Sequence, residues 1–348
     1  MDIALDRARV GERWVLRCRQ PDGSATDVTG WLVSVSADAV VIEPVGQAPR
    51  TIGRATIILA KRVPAAAGGP DPRRTPAEDL ARSTLAGWVA DSEPLGEWTL
   101  RTGGGFTSRA NSALAIGDPG LPLPQAAERV IAYAGAHAIT PRAQVIVGSA
   151  VDRGLMELGW TPVHVIADVL VVRLTTLLGD ELPDPRVEVT QELDSSWLAA
   201  FGRSRPTDAD PGVVRQILTG RPTVGFAAVR ASGDGEGRIA IARGHVDGFW
   251  LGLMAIWTEP EHRRLGLATA MMHALGHWAA RRGARYAYLQ VAEQNQAAQQ
   301  AYARLGFVQH HSYRYLAPST PELLGFVGVA RSTDRADPTN PSNFSSEN

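Results

Sequence analysis

The residues with the plainest chemical use lie in Thr258-Glu259-Pro260-Glu261-His262-Arg263-Arg264-Leu265-Gly266-Leu267-Ala268-Thr269. Two arginines precede a glycine here, and small residues follow it. An apolar run from Phe249 to Trp257 comes before and has the composition of a buried strand. After it, Leu267, Met271, Ala274, Leu275 and Trp278 recur at helical spacing. The stretch is therefore read as a turn from a strand into a helix. A helix start presents backbone N–H groups without intrahelical partners, together with the positive end of the helix dipole, and so suits a phosphate. Gly266 lets a pyrophosphate approach the backbone, and Arg263 and Arg264 can add charge-assisted bonds. Taken alone, the plainer reading, a helix start with two solvated arginines, would stand ahead.

The stretch is not alone. Beginning 27 residues beyond Ala268 is Asn295-Gln-Ala-Ala298-Gln-Gln-Ala-Tyr302-Ala-Arg-Leu-Gly306-Phe307. Together the two segments resemble the signature motifs of the GNAT acyltransferases. The first resembles that family's R-x-x-G-x-A pyrophosphate loop, and the second its N-x-x-A-x-x-x-Y-x-x-x-G-F segment. At motif level the resemblance covers residues 249–307, and by order of elements 186–318.

The resemblance implies acetyl-CoA as co-substrate and transfer of its acetyl group to a primary amine, on a small molecule or a peptide. It implies that the backbone of Ala255, Ile256, Trp257 and Thr258 lies beside the pantetheine arm, where an N–H can hold the developing oxyanion. Arg263, Arg264, Leu265, Gly266, Leu267, Ala268 and Thr269 would cradle the pyrophosphate. Asn295 and Ala298 would border the arm, and Tyr302 would protonate the departing thiolate. Two of these residues have a second reading. Asn295 is also a favoured N-cap for the helix it opens. Tyr302 shares a helical stripe with Ala298, Ala301 and Leu305 and can be a core aromatic. No residue is assigned as general base. Glu293, Asp247 and Glu259 are near in sequence, and each reads as a solvated charge.

Composition narrows the rest. With 44% hydrophobic and 20% charged residues the chain has a globular composition. A net charge of −1 offers no general electrostatic case for nucleic acid or an anionic membrane. Cys18 is the sole cysteine, so an intramolecular disulfide is impossible, and its surroundings read as a strand. His273 and His277 have the i, i+4 spacing of a metal pair, but they face away from the apolar stripe and read as solvated; no metal is expected. His310 and His311 remain unassigned. No run approaches the roughly 18 apolar residues of a membrane span, and no apolar leader follows Met1, so a cytoplasmic location is expected.

The fold class is α/β (α+β): a GNAT fold with a mixed, mostly antiparallel sheet, preceded by two further units. Residues 1–64 carry five short strand patterns and read as an SH3-like small β-barrel, with Trp14 and Trp31 as core. Residues 65–76 have linker composition. Residues 77–180 read as a half or degenerate GNAT-like unit, opened by a helix with Thr75 as N-cap. In that unit 97–101 and 106–114 are expected to pair as strands across Gly103-Gly104-Gly105. Similar barrel-plus-two-part arrangements occur in GNAT proteins of high-GC bacteria. Residues 186–318 are the expected catalytic domain, and 331–348 a disordered tail. A reading from another class is a catalytically weak CoA-binding sensor or scaffold whose barrel binds a partner.

Overall fold

The computed structural model describes residues 3–88, 91–220, 223–231 and 237–319. The expected tail lies outside them. After a short helix, α1 (Ile3–Asp6), the chain forms β1 (Arg13–Arg19), β2 (Ala25–Val35), β3 (Ala39–Glu43), β4 (Arg50–Gly53) and β5 (Ile57–Val63). These make one antiparallel sheet in the order β4-β3-β2-β1-β5. Strict alternation on β1 sends Trp14, Leu16 and Cys18 inward against Leu32, Val40 and Ile42. Burial pushes the Cys18 thiol up, away from reactivity.

Trp31 goes elsewhere. It is 1% exposed, but its neighbours belong to the larger core of the second sheet. Its ring lies between the guanidinium groups of Arg13 and Arg281, at 5.5 and 5.3 Å from their central carbons. Arg281 also pairs with Glu43 at 2.6 Å. Trp31 therefore fastens the small sheet to the rest of the molecule.

Among the described residues the second sheet has eleven strands. In chain order its elements are α2 (Ala77–Thr84), β6 (Asp91–Leu95), β7 (Trp98–Thr102), β8 (Ala113–Leu114), α3 (Leu123–Ala136), β9 (Ala143–Ile146), α4 (Ala150–Glu157), β10 (Trp160–Arg173) and α5 (Leu174–Leu178). There follow β11 (Val187–Thr190), α6 (Ser195–Ser204), α7 (Pro211–Thr219), β12 (Val224–Arg230), β13 (Arg238–Asp247), β14 (Trp250–Thr258), α8 (Leu267–Ala280), β15 (Tyr286–Ala292), α9 (Gln296–Arg304) and β16 (Val308–Pro318). The strand order is β11-β12-β13-β14-β15-β10-β16-β9-β8-β7-β6. The pairs β14–β15 and β8–β9 are parallel, and the other pairs are antiparallel.

This order contains an internal repeat. β8-α3-β9-α4-β10 and β14-α8-β15-α9-β16 have the same sequence of elements, and α3 and α8 are both 14 residues long. Each parallel pair is joined by its crossover helix, as parallel strands require. The last strand of each repeat crosses into the other: β10 pairs with β15, and β16 pairs with β9. β10 and β16 then pair with one another at the centre. Val169-Leu170-Val171-Val172 on β10 is buried on both faces and reads as an unbroken apolar run, as a central strand should.

Three local expectations are corrected. Residues 106–114 do not form a long strand. β7 pairs with β6 across Gly96-Glu97, β8 has two residues, and the chain between is folded by one side chain. Asn111 accepts from the N–H of Gly103 and Gly105 at 2.8 and 3.0 Å and donates to the carbonyls of Phe106 and Thr107 at 2.9 and 2.8 Å. Those four bonds replace a ladder. At α2 the cap residue is Pro76 with no side-chain bond, so Thr75 does not cap it. His273 and His277 are not solvated: α8 is covered from behind by α5 and the turn after it. His277 is 4% exposed, with Nε2 at 2.9 Å from the Glu181 carbonyl, and burial pushes its imidazolium down to about 4.

Two outcomes follow. Residues 186–319 produced without 1–180 lack β9 and β10, which leaves β15 an edge strand and β16 without a strand partner; circular dichroism and thermal melting are expected to show no cooperative unfolding. His277 stays neutral when folded but charges when unfolded, so stability is lost as pH falls from its ordinary value near 6.5 toward 4. The full effect is about 3 kcal/mol, and in denaturant titrations across that window His277→Gln should lower the slope of stability against pH by up to one proton.

Candidate active site

β14 is paired on both sides only at its start. With β15 it pairs from Trp250 to Leu253, opposite Tyr286 to Leu289. With β13 it continues to Thr258. Beyond Leu253 the strands part, leaving the β15-facing edge of residues 254–258 without a strand partner. The β13–β14 register shifts at the same place, with one residue of β13 opposed to Ala255 and Ile256. Ala255 has φ 51°, in the left-handed region where a side chain is strained. A bulge of this kind increases twist and turns the strand away from its neighbour. Ala255, Ile256, Trp257 and Thr258 are all half-buried along this opening. The Trp257 ring lies 5.5 Å from the Arg203 guanidinium carbon.

The parted strand runs into the phosphate-type loop. Pro260–His262 is one 3-10 turn, and Arg263 is extended and donates to the Thr258 carbonyl at 3.2 Å. Arg264 has φ 64° and Gly266 φ 75°, so two left-handed residues fold the backbone around the helix start. Successive N–H groups in such turns form a concave anion site. Gly266 caps α8 without any side-chain bond, and a Cβ there would meet nothing within 4 Å. Arg263, Arg264, Leu265 and Gly266 are exposed; Ala268 and Thr269 are half-buried, and Leu267 anchors the helix in the core.

α9 faces the same opening. Asn295 caps it, accepting from the Ala298 N–H at 3.1 Å. Ala298 and Tyr302 pack against the core, and the Tyr302 ring meets Phe307 edge-on at 6.0 Å. The Tyr302 hydroxyl has no hydrogen bond among the described residues, and burial pushes its phenol up to about 12, so it holds its proton at neutral pH. Asp168 on β10 fixes this helix to the sheet. Its Oδ2 accepts from Gln299 at 3.0 Å, and its Oδ1 from Gln309 and Ser312 at 2.8 and 2.6 Å.

The opposite face carries a buried polar layer that periodicity does not reveal. Arg243 is fully buried, donating to the carbonyls of Leu218 and Gly87 at 2.8 and 2.7 Å, and desolvation pulls its guanidinium down to about 10. The Tyr288 hydroxyl lies 3.0 Å from His245 Nε2. A Cβ on Gly252 would come 2.1 Å from the His245 ring, so this layer admits no side chain there. Of the three carboxylates near in sequence, Asp247 pairs with Trp250 at the far end of β14. Glu259 faces Arg203 at 3.6 Å, and Glu293 is exposed just past β15. Among the described residues no cluster of three potential ligands could hold a metal ion.

Known proteins share this fold. A family model described as "Probable histone acetyltransferase Rv0428c C-terminal" matches residues 80–316. The chain belongs to this family and is a GNAT-family N-acetyltransferase. An uncharacterized N-acetyltransferase of Bacillus subtilis (strain 168), YobR, is 38% identical over 71 residues, which is 20% of this chain and 28% of that protein. Among solved structures, a GCN5-related N-acetyltransferase from Kribbella flavida aligns with a TM-score of 0.52 at 20% identity, covering 72% of this chain and 99% of that one. That likeness is one of fold.

The family match spans both repeats of the large sheet, so the acetyltransferase region begins at α2, well before the motifs. In this acetyltransferase the parted β14 runs directly into the loop at 263–269, while the polar layer and the β10 exchange carried no local sequence signal. Gly266→Val forces a β-branched residue into φ 75° at an open, exposed turn. Calorimetric titration with CoA should show at least about a tenfold loss of affinity, roughly 1.4 kcal/mol, and the strained turn should lower the melting temperature by only a few degrees.

Proposed function

We propose that the protein transfers an acetyl group from acetyl-CoA to a primary amine by direct attack. The observation that carries this reading is the continuity of the parted β14 edge with the left-handed turn at the start of α8. One end offers unpaired backbone beside a slot; the other offers converging N–H groups and two exposed arginines. The pantetheine arm lies along Ala255, Ile256, Trp257 and Thr258, and the pyrophosphate in Arg263, Arg264, Leu265, Gly266, Leu267, Ala268 and Thr269. Ala298 and the Asn295 side chain border the arm. A backbone N–H on the β14 edge polarises the thioester carbonyl. The amine nitrogen bonds to the carbonyl carbon, the C–S bond breaks with its electrons on sulfur, and Tyr302 gives the thiolate its proton. A phenol held at about 12 is fully protonated at neutral pH and well placed energetically to hydrogen-bond a thiolate.

The preceding units take supporting roles in this reading. Residues 1–64 form an SH3-like barrel docked through Trp31, 65–76 connect it, and 77–180 are a degenerate GNAT-like unit that walls the acceptor side of the 186–318 domain. The degeneracy is chemical: α3 starts at Pro122-Leu123-Pro124, so prolines stand where α8 offers N–H groups. The protein would work in the cytoplasm, where acyl-CoA is found.

Calorimetric titration of acetyl-CoA into the intact chain, followed by thiol release with a panel of amines, tests the reading. One site of micromolar affinity and amine-dependent release are expected; absence of binding would leave the non-catalytic sensor or scaffold reading. Tyr302→Phe should lower kcat by roughly 10²-fold or more while acetyl-CoA affinity stays within about twofold. Unchanged turnover would remove Tyr302 as the acid.

A further inference from the structure

The proposed reaction needs a group to take the proton of the attacking amine, and the nearest carboxylates offer no settled candidate. Bases other than carboxylates can be sought among the eight histidines. Seven are placed elsewhere or already engaged. His137 bonds the Tyr133 carbonyl at the end of α3. His245 lies against Tyr288 with no exposed surface. His262 is in the phosphate-type loop; His273 and His277 face Glu181 behind α8; His310 and His311 hold one another at 2.8 Å.

His164 has partners too, Ser108 and Tyr315 among them, but its position is unusual. The β10–β16 register breaks between Val163 and Ala167, inserting His164-Val165-Ile166 as a bulge. His164 has φ 69°, a left-handed conformation that a histidine adopts at some cost. Bulges re-aim a side chain and collect beside active sites. β10 runs antiparallel to β15, with Ala167 opposite Ala292 and the Glu293 N–H bonded to the Ile166 carbonyl at 2.9 Å. The bulge therefore lies at the C-terminal end of β15, the end toward which β14 and β15 part.

The side chain also lies on the expected face. Phe106 and Ala110 of the Asn111-folded loop pack with Trp88, Met254 and the helices α6 and α7, and Ala255 and Trp257 border the same cluster. Ser108 of that loop has its Oγ 3.4 Å from His164 Nε2. The ring stands edge-on to Tyr315 at 5.8 Å and is exposed. The ionisable groups around it are Arg142, which donates to the same Ser108 Oγ at 3.2 Å, Arg109 in the loop, Tyr313 and Tyr315 on β16, and Glu293 past β15.

We infer that His164, presented by the β10 bulge and steadied by Ser108, takes the proton of the acceptor amine, directly or through one water. The inference rests on the acetyl-transfer reading above. The amine gives one proton to the imidazole as its nitrogen bonds to the carbonyl carbon; Tyr302 gives one to the sulfur. The imidazolium then returns its proton to solvent and the phenolate regains one. Amine and acetyl-CoA become amide and CoA thiol, and no further reagent is needed.

His164→Asn is the informative variant, because asparagine accepts the left-handed backbone and leaves the bulge intact. Acetyl-CoA binding is measured by calorimetry, and thiol release is followed against pH with spermidine, a lysine-containing peptide and water alone as acceptors. The expected result is unchanged acetyl-CoA affinity and melting temperature, kcat lower by roughly 10²-fold, and loss of the acidic limb along which the wild-type rate falls as the imidazole protonates. Ser108→Ala should give a smaller loss with the limb retained. A wild-type rate and pH profile in His164→Asn, or the same losses appearing in Glu293→Gln instead, would overturn the inference alone. Failure of the wild-type chain to bind acetyl-CoA, or to release thiol with any of these acceptors, would overturn the transfer reading and this inference with it.

Discussion

The hydrogen-bonded ladders of β10 hold the whole arrangement in place. β10 and β16 stand between the two repeats' parallel pairs, and β10 is the one that lies against β15. Without it, β15 would be an edge strand at the very place where β14 departs from it. An edge strand frays, and its unpaired N–H and C=O groups seek other partners. A slot between two strands keeps its width only if the far strand is itself clamped. β10 clamps β15 over seven residues, and Asp168 on the same strand secures α9 through Gln299. One strand from the non-motif repeat thus supports both the wall of the slot and the helix that carries Tyr302.

The parting of β14 from β15 has a local cost that is met locally. Ala255 in the left-handed region is worth roughly 1–3 kcal/mol of strain, and unpaired backbone adds to it. Opposite Met254 the Arg243 guanidinium is fully enclosed and bonded to the carbonyls that end α7 and follow α2. Those bonds tie β13 to two helices behind the bulge, so the sheet cannot relax by sliding. Buried cations of this sort are expensive to place but strongly directional once their bonds are made. The polar layer is best understood as the rigid backing of a deliberately unpaired edge.

What could be read in the residues follows from which interactions are local. The five strands of the first sheet were visible because alternation and turn residues are short-range signals, and so was the loop at 263–269, whose glycine and arginines act on their own backbone. The order of strands was not visible: periodicity says which face of β10 is apolar, and here both are, but not which strand lies beside it. The 103–114 segment misled for a related reason. Its triple glycine reads as a hairpin turn between strands, yet a single asparagine with four bonds outcompetes the ladder. Trp31 is core, as its sequence context implies, but the core it joins, and the cover over His277 where that context implies solvent, come from distant segments, α8 in one case and the turn after α5 in the other.

The two repeats show how one set of elements supports two different uses. Both place a 14-residue helix between parallel strands, and both exchange their last strand. They differ where chemistry is concerned. α8 begins after two left-handed residues with arginines beside them, whereas α3 begins between prolines that have no N–H to give. β8 and β9 also stay paired along both residues of β8, and Arg101 of β7 is buried beside them, bonded to Ser112 and Gln144. The first repeat, with prolines at its helix start and its parallel strands paired, still contributes a rigid sheet strand. Its β10 pairs with β15, and its Asn111 loop packs Phe106 and Ala110 against Met254 beside Ala255 and Trp257, so the first repeat backs the opening of the second from the side α8 does not cover.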